Sequence, residues 1–170
     1  ASTKLPFPPT AQAIAAPRVP STVLARLRDY LELAKPRIVV LELIVAAAAA
    51  CIATPHALQP LTLLEALAAT ALVAGSASIA NQLLERRVDA RMRRTMNRPL
   101  PAGRVAPAEA AMLSAVTGLM GLAWLVARVN MLTASLGAAS WLLYVAVYTP
   151  LKTRTPLNTA VGAVAGALPL

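Results

Sequence analysis

The chain has 170 residues, of which 58% are hydrophobic, 14% charged and 4% aromatic, and its mean hydropathy is +0.63. Sixteen Lys and Arg against seven acids give a net charge of +9, and the charges cluster between long apolar runs that hold almost none. A soluble domain would scatter its charges over its helices and a disordered basic tail would lack the apolar mass, so both are excluded and a membrane protein remains. Basic loops held on the cytoplasmic side account for the charge, and no nucleic-acid partner is expected. Cys51 and His56 are single in this sequence, which rules out a disulfide or a His/Cys metal cluster within it. Any metal here is a hard cation held by oxygens.

Residues 1–34 read as a tail and a short surface helix. The first 20 residues carry five prolines and little periodicity, which predicts a flexible or processed end and no signal peptide. Over 21–34, Val23, Leu24, Leu27 and Leu31 fall on one helical face, with Arg26, Asp29 and Glu32 elsewhere. That pattern suits a helix lying on the membrane surface. Lys35-Pro36-Arg37 then opens the membrane domain, residues 35–170. Proline is at home in a first helical turn, and flanking Lys and Arg anchor a helix at headgroup level.

The fold expected is all-α, a multi-pass transmembrane helical bundle. Four complete spans are predicted at 38–54, 61–84, 110–127 and 131–149, each near the ~20 residues that ~30 Å of hydrocarbon requires. A fifth apolar run, 157–170, is too short to cross unless more sequence follows, so the chain is expected to be the N-terminal part of a longer protein. The segment 55–60 holds no Lys or Arg, whereas 85–105 holds Arg86, Arg87, Arg91, Arg93, Arg94, Arg98 and Arg104. That loop is expected on the cytoplasmic side, with Arg26, Arg28, Lys35 and Arg37 two crossings earlier and Lys152 and Arg154 two crossings later. Only Arg128 dissents. Gly75, Ser76, Ser78, Gly118, Gly121 and the Gly162/Gly166 pair permit close helix packing.

The chemistry concentrates after the second span. Asn81, Glu85 and Asp89 are spaced i, i+4, i+8, so on a helix they drift only about 40° per step and form one oxygen-bearing stripe. Such a stripe suits Mg²⁺, which prefers carboxylates combined with phosphate oxygens and waters. Arg91, Arg94 and Arg98 follow, and guanidinium forks match phosphate oxygens. Acid beside base points to a metal-bridged diphosphate; the alternative is a topology-setting loop whose acids offset its arginines through helix pairs.

This segment resembles the first aspartate-rich motif of the intramembrane prenyltransferases related to 4-hydroxybenzoate polyprenyltransferase, Asn-x-x-x-Asp-x-x-x-Asp followed by Arg-Thr-x-x-Arg-Pro-Leu. Here the middle acid is Glu85. Within that superfamily, three stretches in order are similar to the protoheme IX farnesyltransferase (haem O synthase) family: Lys35-Pro36-Arg37, Asp89 to Leu100, and Tyr148-Thr149-Pro150-Leu151-Lys152 continuing through Arg154, Asn158 and Gly162. The likeness covers about residues 31 to 170. It implies about nine membrane helices around a central cavity, in which farnesyl diphosphate gives its farnesyl group to a vinyl group of haem b, water adds, and haem O and diphosphate leave. It further implies Asn81, Glu85 and Asp89 as the catalytic Mg²⁺–diphosphate ligands and Arg94 and Arg98 as diphosphate-side cations. Lys152 and Arg154 either bind the same phosphates or anchor the topology. A second aspartate-rich motif belongs to the C-terminal half of such enzymes, and this chain has no acid after Glu109; 170 residues alone are therefore expected to be inactive.

Other residues leave their roles open. Glu42, one turn into the first span, either lines the cavity, snorkels, or pairs with another helix. Glu65 and His56 fall toward the outer surface, and Trp124, Trp141, Tyr144 and Tyr148 suit packing or interface belts. Two competing functions remain: prenylation of a quinone precursor or other aromatic, and a non-catalytic scaffold whose basic loop binds anionic lipid. The Ala/Arg-rich usage favours a bacterial cytoplasmic membrane over a mitochondrial inner membrane, and haem A synthase or cytochrome oxidase assembly is the protein partner that the resemblance implies.

Overall fold

The computed structural model describes residues 22–53, 59–152 and 158–168. The expected tail, His56 and Arg154 lie outside them. Every regular element among the described residues is helical: α1 Val23–Ala34, α2 Pro36–Ala53, α3 Pro60–Asp89, α4 Pro107–Arg128, α5 Met131–Leu151 and α6 Asn158–Ala167. Helices α2 to α5 are long and apolar enough to cross a membrane, and the protein is an integral membrane protein built as a helical bundle.

Helix α3 is the axis of this assembly, packed against α1, α2, α4 and α5. It departs from the expected span 61–84 by running 30 residues to Asp89, about 45 Å at 1.5 Å per residue. Nothing in Glu85-Arg86-Arg87-Val88-Asp89 breaks a helix, and Arg86 and Arg87 suit the negative end of the helix dipole. Charge ends the apolar run without ending the helix.

Small residues set the approach of α4 to α3. A methyl at Gly118 would lie 2.6 Å from Ser76 Oγ, and one at Gly121 would lie 2.8 Å from both the Ala69 carbonyl and Val73 Cγ2. At this crossing Ser76 Oγ donates to the Ser114 carbonyl at 2.8 Å, Ser114 Oγ donates to the Ser76 carbonyl at 2.9 Å, and Trp141 Nε1 donates to Ser76 Oγ at 3.0 Å. The Gly162/Gly166 pair behaves differently. Gly162 faces the Tyr148 ring, while a methyl at Gly166 would meet nothing within 4 Å among the described residues.

Helix α1 packs by the side opposite its apolar stripe. Val23, Leu24, Leu27 and Leu31 are exposed, and the buried residues are Asp29 and Leu33. The helix docks by its polar edge: Arg104 Nε donates to Asp29 Oδ1 at 2.8 Å, Arg104 Nη2 to Glu32 Oε2 at 3.0 Å, and the Tyr30 hydroxyl to Glu109. Its apolar stripe turns outward, as a helix on a lipid surface requires. Lys35, at φ 52°, ψ 61°, makes the corner into α2. It is the one non-glycine residue with positive φ among the described residues, a conformation that costs about 1–2 kcal/mol.

Two further features were invisible to periodicity. Leu143–Tyr148 of α5 is π-helical, and Tyr144 and Tyr148 stack there with ring centroids 5.3 Å apart. Arg128, the dissenting cation, pairs with Glu65 on α3 through Nη2 at 2.8 Å and Nε at 3.0 Å. This salt bridge gives Arg128 a partner at the end of α4 opposite the arginine-rich loop.

Candidate diphosphate site

The charged C-terminal end of α3 carries the predicted oxygen stripe. Asn81 and Asp89 are buried, Glu85 is half-buried, and Asn81 Nδ2 donates to Glu85 Oε2 at 3.4 Å. Asn81 Oδ1 accepts from Thr149 Oγ1 at 2.9 Å, which ties the stripe to the end of α5. The same hydroxyl reaches the Tyr144 carbonyl at 2.8 Å, which also accepts the Thr149 backbone N–H in the π-helical pattern.

Basic residues converge on this stripe from three directions. Residues 90–105 fold into consecutive turns, pinned by Leu100 and Val105 in a core with Leu33, Ile79 and Ala110. Thr95 Oγ1 donates to the Asp89 carbonyl at 2.9 Å, and Gly103 supplies the φ of 70° that the return to α4 needs. This loop sets Arg98 Nη1 2.7 Å from Asp89 Oδ2. From the end of α5, Lys152 Nζ reaches Glu85 Oε1 at 3.2 Å. From the α1–α2 corner comes Lys35. Burial holds its ammonium below the ordinary lysine range, the Arg98 charge pushes the same way, and Glu85 and Asp89 act against them.

Two carboxylates thus stand among three cations, an excess of positive charge suited to an anion carrying several phosphate oxygens. Lys35 is the residue that sequence reasoning placed elsewhere, as a headgroup anchor. Fifty residues separate it from Glu85, and no local spacing links them. Arg94 is exposed and makes no hydrogen bond or ion pair with the stripe among the described residues. The stripe, Arg98 and Lys152 come together.

Among the described residues no three His, Cys, Asp or Glu side chains form a group able to hold a metal. The donors on hand are the amide oxygen of Asn81 and the carboxylates of Glu85 and Asp89. That set fits Mg²⁺ only with phosphate oxygens and waters completing its shell, which is the habit of this ion. It does not fit a closed all-protein cage.

A cavity of about 480 Å³ lies within the bundle, walled by α2, α3, α5 and α6 with Leu125 of α4. Thr70, Ala74, Ala77 and Ser78 line it from α3, and the helical period carries that face on to Asn81 and Glu85. Trp141 and Tyr144 line it from α5. The charged cluster thus lies about one turn of α3 beyond Ser78 on the wall of a mostly apolar chamber, an order of polar and apolar parts that suits an amphiphile with an anionic head.

The model of the UbiA prenyltransferase family matches residues 43–170. Relatives named protoheme IX farnesyltransferase include one from Rhodopirellula baltica, 48% identical over 140 residues, covering 82% of this chain and 49% of the relative. One from Shewanella halifaxensis is 44% identical over 157 residues (92% and 52%), and one from Idiomarina loihiensis is 42% identical over 159 residues (93% and 53%). The chain spans about half the length of these curated relatives. No solved structure matches it.

Proposed function

The chain belongs to the UbiA prenyltransferase family, and from that premise we propose that it supplies the diphosphate-binding half of a protoheme IX farnesyltransferase. The reaction is transfer of the farnesyl group of farnesyl diphosphate to a vinyl group of haem b, with addition of water, giving haem O and diphosphate. The observation that carries the reading is the Asn81–Glu85–Asp89 stripe set among Arg98, Lys152 and Lys35 beside an apolar cavity.

The chemistry asks little of the protein beyond placement and charge. The bond from farnesyl C1 to the diphosphate oxygen breaks, and negative charge builds on the departing group. Arg98 and Lys152 are each bound to a stripe carboxylate, so phosphate oxygens draw on cations already fixed in place, with little reorganisation left to the reaction. Lys35, partly stripped of water, adds a third. When bound by Asn81, Glu85, Asp89 and phosphate oxygens, Mg²⁺ neutralises part of the same charge. Exclusion of water by the cavity protects the allylic cation from early capture.

Seven arginines between 85 and 105 support a cytoplasmic or matrix-side site, Ala/Arg-rich usage favours a bacterial inner membrane, and the resemblance implies association with haem A synthase or cytochrome oxidase assembly. The test is to express the complete reading frame in membranes, supply haem b, farnesyl diphosphate and Mg²⁺, and assay haem O by mass. Haem O that vanishes on chelation supports the reading. A folded full-length protein that makes a prenylated aromatic compound instead, or nothing, refutes it.

A further inference from the structure

Glu42 is an acid in the second turn of an apolar helix, with no assigned task. It lies on α2, whose eighteen residues otherwise carry one charge, Arg37. Its side chain is half-buried, has no hydrogen bond or ion pair among the described residues, and lines the cavity together with Ile38, Ser78 and Tyr144. An acid at such a depth is costly to hold and is a functional group by default. A snorkelling role does not fit a side chain that faces the chamber.

Its position within the chamber matters. Ser78 is three residues, one turn of α3, before Asn81, and Tyr144 is joined through its carbonyl and Thr149 to the same asparagine. Glu42 therefore shares a cavity wall with two residues that each stand within about one helical turn of the stripe or of its Thr149 partner. With the diphosphate on the stripe, farnesyl C1 is at this depth, and so is any group that attacks it.

We propose that the Glu42 carboxylate accepts the proton released when water adds to the haem vinyl group. This rests on the haem-directed reading above. The vinyl π pair forms the new carbon–carbon bond to farnesyl C1 as the C1–oxygen pair leaves with diphosphate. Positive charge then rests on the vinyl carbon attached to the porphyrin. A water lone pair forms the carbon–oxygen bond to that carbon, and one of the water protons passes to Glu42 and from there to solvent. No oxidant or reductant is needed, because each electron pair moves to an atom already named. The hydroxyl-bearing carbon is one bond from the carbon that joins C1, so the proton acceptor must stand near C1 without touching diphosphate.

The experiment is Glu42→Gln and Glu42→Asp in the full-length protein, assayed in membranes with haem b, farnesyl diphosphate and Mg²⁺. Wild type serves as the reference for the reaction itself. A positioned base is worth about 10²–10⁴-fold, so Glu42→Gln is expected to lower the kcat for haem O at least about a hundredfold. The KM for farnesyl diphosphate should stay put, and the trapped cation should divert to farnesylated haem lacking the hydroxyl or to farnesol. Glu42→Asp should restore part of the rate. Wild-type haem O output from Glu42→Gln overturns the proposal. A rise in KM with kcat unchanged, or loss of membrane-integrated protein that Glu42→Asp does not rescue, shows a structural acid and overturns it too. Absence of haem O from wild type would instead remove the acceptor assignment on which the proposal rests.

Discussion

Asp89→Asn in the full-length protein separates a catalytic stripe from a structural one. Asp89 is 4% exposed and its Oδ2 accepts from Arg98 Nη1 at 2.7 Å. Asn is isosteric, and its amide oxygen still accepts from Arg98, so the fold loses charge assistance while keeping the bond. A hydrogen bond to a charged group is worth about 1.5–3 kcal/mol and a neutral one about 0.5–1.5. The Arg98 side chain is 29% exposed, so solvent trims the difference to about 1 kcal/mol. Asp89 would act on the departing diphosphate through the Mg²⁺ it helps hold, and loss of one such source of charge stabilisation costs about 10²–10³ in rate, about 2.7–4 kcal/mol. Haem O formed per amount of folded protein must therefore fall far more than the folded amount does, and the Mg²⁺ needed for half-maximal rate must rise. Turnover within about threefold of wild type, or a loss that merely tracks lost protein, refutes the assignment.

Lys35→Gly should move stability and function in opposite directions: relief of the left-handed conformation raises the thermal midpoint, while loss of the cation raises the KM for farnesyl diphosphate about 10-fold or more. Gly118→Ala places a methyl 2.6 Å from Ser76 Oγ, so either α4 retreats or the Ser76–Ser114–Trp141 bonds break; overpacking of this kind costs about 1–3 kcal/mol, readable in detergent as an earlier melt. The hydrogen bond from the Tyr30 phenol to Glu109, reinforced by burial and the Glu109 charge, raises Tyr30 above its ordinary 10.0. The stability from that contact is fully present below about pH 10 and lost as pH climbs through the raised value. Tyrosinate absorbance compared with Tyr30→Phe measures the shift, and Glu109→Gln should lower it.

Several parts of this protein were written in local sequence. Four spans follow from apolar runs of membrane length, because a backbone in hydrocarbon must bond within its own helix. The Asn81–Glu85–Asp89 stripe follows from a spacing of four and needs only that the helix continue, which it does to Asp89. The amphipathic stripe of α1 was equally legible, although its polar side proved to be the one that docks, since Arg104 lies more than seventy residues away from Asp29 and Glu32.

Tertiary structure alone decided the rest. Which cations meet the stripe depends on the folding of 90–105, on the end of α5 and on the α1–α2 corner, and three segments far apart in sequence leave no periodic signal. Arg98 and Lys152 reach carboxylates, Arg94 stays exposed, and Lys35 joins the site because a strained residue turns the chain there. The partnership of Arg128 with Glu65 and the presence of Glu42 on the cavity wall have the same origin. Helical period dictates which residues of one helix share a face, but the neighbour opposite that face is chosen by helix packing, and packing here is set by small residues whose partners lie on other helices.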